Sequence, residues 1–100
     1  MKIPASVSEY LNSLQDDDVI GVGCHATDCL VARVVRYTHP EYTYTCVSVS
    51  GEVISYPGDD TPSLAKIEQL DADYIAIIDK FVRFGSGPVI KSKFMQAIKE

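Results

Sequence analysis

The residues of this chain best equipped for chemistry crowd into one stretch, VIGVGCHATDCLVARVVRY at 19–37, which holds Cys24, His25, Cys29, Arg33 and Arg36. Read as strand, turn and helix, it puts Cys29 in the first helical turn, where the helix dipole favours an anion. Arg33 and Arg36 follow one and two turns along the same face, and positive charge there lowers a thiol pKa. With His25 as a nearby base, Cys29 would form the Cys-His pair of nucleophilic catalysis. Asp28 opposes this, since a neighbouring carboxylate disfavours a thiolate, and no third group is in place to orient the histidine. The plainer expectation is a helix whose polar stripe faces water, with Cys29 at its edge.

A metal would use the same stretch. Cys24, His25 and Cys29, with His39 and Cys46 further on, are zinc-type ligands. No C-x2-C or H-x3-H pair occurs among them, so the expectation is no metal and no cofactor. Cys46 then reads as a small sheet residue, Cys24 as a loop or core thiol and His39 as a solvated residue at a helix end. The segment GVGCHATD has the form of a glycine-rich turn that binds an anion through backbone N–H groups. It lacks the third glycine of a dinucleotide fingerprint and the lysine of a P-loop, so Gly21 and Gly23 are read as serving close packing. The aspartates at 16–18 and 59–60 are read as solvated turns, and Lys91, Lys93 and Lys99 as a small basic patch that aids solubility.

These residues need elements to position them. Val7, Tyr10, Leu11 and Leu14 recur at i, i+3, i+4 and i+7 and predict a helix over 6–15, with Ser6 and Glu9 as a capping box. The short apolar run at 19–23 suits a strand buried on both faces. From 28 to 38, with Thr27 as cap, a helix places Leu30, Val31, Val34, Val35 and Tyr37 on one arc and Cys29, Arg33 and Arg36 on the other. The segment YTYTCVSVSGEVISY at 42–56 reads as a hairpin with Gly51 and Glu52 as its two turn residues. Val47, Val49, Ile54 and Tyr56 would then share one face, and Cys46, Ser48, Ser50 and Ser55 the other.

Thr61 and Pro62 open a short helix marked by Leu64, Ile67 and Leu70. A longer one at 71–84 buries Tyr74, Ile75, Ile77, Ile78, Phe81, Val82 and Phe84 and turns Asp79, Lys80 and Arg83 outward. After the turn at Ser86, Gly87 and Pro88, a last helix docks through Ile90, Phe94 and Ile98. The elements together predict a single compact α+β domain over 1–100, its three-stranded sheet (19–23, 42–49 and 53–56) packed against about five helices.

Composition narrows the function. With 46% hydrophobic residues and no long apolar run, neither a membrane span nor a disordered chain is expected. Fourteen acidic side chains against nine basic give a net charge of -5, a field that repels phosphate backbones, so nucleic-acid binding is disfavoured. Three cysteines and no apolar leader predict reduced thiols and a cytoplasmic location. Size, acidity and the lack of a catalytic constellation favour a small binding or regulatory protein, of partner-docking, inhibitor or phage-encoded type, without catalysis of its own. Its expected contact is the Arg33, Arg36 and Cys29 face, meeting another protein or a small anionic ligand; the competing expectation is that both arginines pair internally, with the aspartates at 16–18, and hold the helix in place. The alternative is a thiol-dependent or anion-binding enzyme centred on Cys29, His25 and Arg33.

Overall fold

The computed structural model describes residues 2–57 and 66–99. Its elements are α1 (Ala5–Asn12), β1 (Val19–Gly23), α2 (Leu30–Thr38), β2 (Tyr42–Val47), β3 (Glu52–Pro57), β4 (Lys66–Gln69), α3 (Ala72–Val82), β5 (Gly87–Ile90) and α4 (Lys91–Ile98). The α+β class is as the sequence implies. Among the described residues there are four helices rather than about five, and the strands form two sheets rather than one.

The amphipathic helices fall close to where periodicity places them. Helix α1 buries Val7 and Leu11, but starts after Pro4, so Ser6 is inside it and its hydroxyl meets that of Tyr74 instead of capping. Helix α3 is capped by Asp71, whose carboxylate accepts from the N–H groups of Asp73 (3.1 Å) and Tyr74 (3.2 Å). It buries Ile77, Ile78 and Phe81 while Val82 stays half exposed. Phe94 of α4, fully buried, packs against Phe81 and Phe84 with ring centroids 6.2 and 6.1 Å apart.

The sheets depart from expectation in three ways. First, β1 does not join the hairpin; it pairs antiparallel with β5, Val22 opposite Pro88 and Gly23 opposite Gly87. A proline lacks the N–H that a central strand needs, and it is tolerated here in a two-stranded ladder whose far edge is open among the described residues. Second, the hairpin's third strand is β4, at 66–69, where a helix was expected. Ile67 of that strand is 70% exposed, so its spacing from Leu70 marks no buried helical stripe. Leu64 and the expected cap at Thr61 and Pro62 lie outside the described residues.

Third, the hairpin turns earlier than a Gly51-Glu52 turn would. Val47 pairs with Val53 and Cys46 with Ile54, around a loop closed by the Gly51 N–H on the Ser48 carbonyl (3.1 Å). This odd shift in register reverses the faces of β3 relative to β2. Thr45, Val47, Val53 and Ser55 point inward, whereas Cys46 and Ile54 sit opposite each other on the outer face and Val49 is 74% exposed at the tip. Helix α2 packs against the inward face of β2 and, with α3 behind it, closes the core.

Candidate functional site

The functional stretch is built on the loop at 24–29, which leaves β1 at Cys24 with φ +64°, a conformation uncommon for any residue but glycine. Three backbone bonds hold the loop. The N–H of Asp28 donates to the His25 carbonyl (3.0 Å), that of Val22 to the Asp28 carbonyl (2.8 Å), and that of Val47 to the Ala26 carbonyl (2.9 Å). The last one fastens the loop to the edge of β2.

The two arginines of α2 are committed to this loop. Arg33 grips the Asp28 carboxylate with both prongs, Nε to Oδ1 at 2.8 Å and Nη2 to Oδ2 at 3.1 Å, and its Nη1 donates to the Val19 carbonyl at 3.0 Å. Arg36 reaches the same Oδ1 at 3.4 Å and donates to the Thr27 carbonyl. A planar guanidinium suits such a forked contact. Both arginines remain partly exposed, so their outer edges are still open to solvent. The bond from Arg33 holds the Asp28 carboxyl below its ordinary range, against a desolvation that acts in the opposite direction.

Cys29 is the N-cap residue of α2 and lies half-buried, its thiol 3.9 Å from the Ala26 carbonyl. Burial pushes this thiol up from its ordinary value; the N–H groups of Ala32 and Val31 and the charge of Arg36 act to lower it and are outweighed. Burial thus acts against the lowering that a helix N-terminus and neighbouring arginines favour. Cys24 and His25 are exposed beside it. His39 instead stands 3.4 Å from a Glu41 carboxylate oxygen, and Cys46 sits on the outer sheet face. Among the described residues no group of three or more His, Cys, Asp or Glu side chains is placed to hold a metal ion.

What Cys24, His25 and Cys29 do share is a cleft of about 260 Å³ between the loop, the start of α2, the end of β2 and the outer flank of α3. Its walls are Leu30, Val31, Val47, Ile78, Phe81 and Val82, with Ala26, Ser48 and Val49 at the mouth. Sequence reasoning found the thiols and the imidazole but missed these apolar walls. Leu30, Val31, Ile78 and Phe81 read as core residues, and nothing in periodicity says that a core stops short of filling. Internal pairing of Arg33 and Arg36 is found, but with Asp28 rather than the aspartates at 16–18; an acidic residue just ahead of a helix that carries two arginines was the available signal. Comparison with family models, with curated proteins and with solved structures gives no match.

Proposed function

We propose that this chain is a small acidic binding or regulatory protein, working in the cytoplasm without catalysis of its own, and that the apolar cleft is where it takes hold of its ligand. The observation that carries this is the cleft itself: an apolar concavity whose mouth is flanked by the exposed side chains of Val49 and Val82. Apolar surface left open around a concave site is the usual mark of a binding site. Three free thiols are compatible with a reducing compartment, and no helix among the described residues is long and apolar enough to cross a membrane.

In this reading Arg33 and Arg36 serve the site by fixing the loop that forms one wall, through Asp28 and the carbonyls of Val19 and Thr27. An acidic partner or small anion would meet only their outer edges. A thiol-dependent or anion-binding enzyme centred on Cys29, His25 and Arg33 is the second reading, and one observation favours it: Cys29 and His25 line the same cleft. The raised thiol weighs against it.

The test is native mass spectrometry on protein purified from its own cells, to identify what co-purifies, followed by titration of that ligand. Val49→Lys with Val82→Lys should weaken binding by roughly tenfold or more, since burying an unpaired ammonium costs more than the 1.4 kcal/mol that a factor of ten represents. Cys29→Ser should leave binding intact. Unchanged affinity in the lysine double variant sinks the cleft. A selective loss in a stable Arg33→Glu, Arg36→Glu protein would move the contact to the arginine face.

A further inference from the structure

We propose that the ligand of the cleft is a small uncharged molecule with a mainly apolar body, of the size of a bicyclic aromatic or a branched hydrocarbon group. The inference rests on the cleft being the ligand site and adds the chemical class. Size comes first: an apolar cavity of about 150 Å³ admits benzene, and the space here is about 260 Å³.

Charge comes next. Among the described residues no Asp, Glu, Lys or Arg lines the cleft. Of the charged groups next in sequence to lining residues, Asp28 is engaged with Arg33 and Arg36, and Asp79 with Arg83 at 3.0 Å. A charged ligand would lose water at these walls and gain no counter-charge, a penalty that an uncharged one avoids. The Ser48 hydroxyl already accepts from the Glu52 N–H (3.1 Å) and pairs with that of Ser50 (2.9 Å). That leaves the exposed His25 ring and the Cys24 thiol for one or two polar contacts at the mouth.

A peptide fits less well. Extended peptides bind by adding to a strand edge, and at this edge the Val47 N–H is already given to the Ala26 carbonyl. Helical peptides use anchors repeated along a groove, whereas this concavity offers room for one.

The experiment is a fluorescence titration of the whole protein with N-phenyl-1-naphthylamine, a neutral probe that brightens in apolar surroundings, competed by naphthalene and by 1-naphthoate. The probe should brighten and saturate. Naphthalene should displace it, and 1-naphthoate should do so at least about tenfold less well because of the desolvated carboxylate. Ala26→Trp, at an exposed loop position on the lining, should fill the cleft and weaken the probe by about tenfold or more with the circular dichroism spectrum unchanged. Val49→Lys at the exposed mouth gives the same readout should Ala26→Trp fold poorly.

No brightening, or equal displacement by 1-naphthoate, overturns the ligand class. If a co-purifying ligand still loses affinity in Val49→Lys, Val82→Lys, the cleft stands as a site for something else. Undiminished probe binding in both folded variants overturns the cleft itself.

Discussion

Asp28 is the side chain on which the loop depends. It takes a forked bond from Arg33 and a second contact from Arg36, and its backbone carbonyl accepts from Val22. Since its folded pKa lies below the ordinary 3.8, its stabilising contribution is complete above that value and fades as the pH falls through the folded pKa. Asp28→Asn should therefore lower stability at pH 7 by on the order of 1 kcal/mol, a figure already reduced for its solvent exposure. The gap to the wild type should narrow as the pH is taken from 7 to well below 3.8, through the folded pKa of the carboxylate. Urea midpoints at both pH values measure it, and a gap that stays constant would show that the charge of Asp28 contributes nothing. Sequence made Arg33 and Arg36 legible as a pair because a helix of period 3.6 must put them on one face. It could not say which way Asp28 turns, because that depends on where the loop crosses β1 and β2.

At the scale of elements, helices were more legible than strands because their apolar periodicity is local. The stripes of α1, α3 and α4 name their own buried sides, whereas a strand is defined by a partner that the sequence does not name. Residues 66–69, KIEQ, carry ordinary helix formers, and pairing with β3 overrides that preference. Residues 87–90 read as turn and helix start, yet become a strand because β1 lies alongside. Gly23 shows how close that approach is: a Cβ placed there would lie 1.7 Å from the Gly85 carbonyl oxygen, with backbone on both sides and no flexible side chain to move. Gly23→Ala should thus force β1 away from the turn between α3 and β5 and cost about 3 kcal/mol. A thermal or urea midpoint within error of wild type would mean that the two backbones are not in contact.

For the molecule as a whole, the radius of gyration of 13.1 Å is that of an ordinary folded chain of this length, about 13 Å. The buried apolar side chains form one connected cluster drawn from both sheets and all four helices of the described residues. A core of that kind supports folding without a metal, so the thermal midpoint should not move when a chelator is added. A large fall would restore a structural role to the cysteines and histidines. Among the described residues strand β1 has its ladder partner in β5, and the link is extended by the N–H of Lys91 on the Asp18 carbonyl and that of Ser92 on the Asp16 carbonyl, both at 2.9 Å. A ribosome delivers 19–23 long before 87–90. During synthesis, α1, β1 and α2 must wait with part of their apolar surface uncovered, and this core closes only when residues 87–90 arrive.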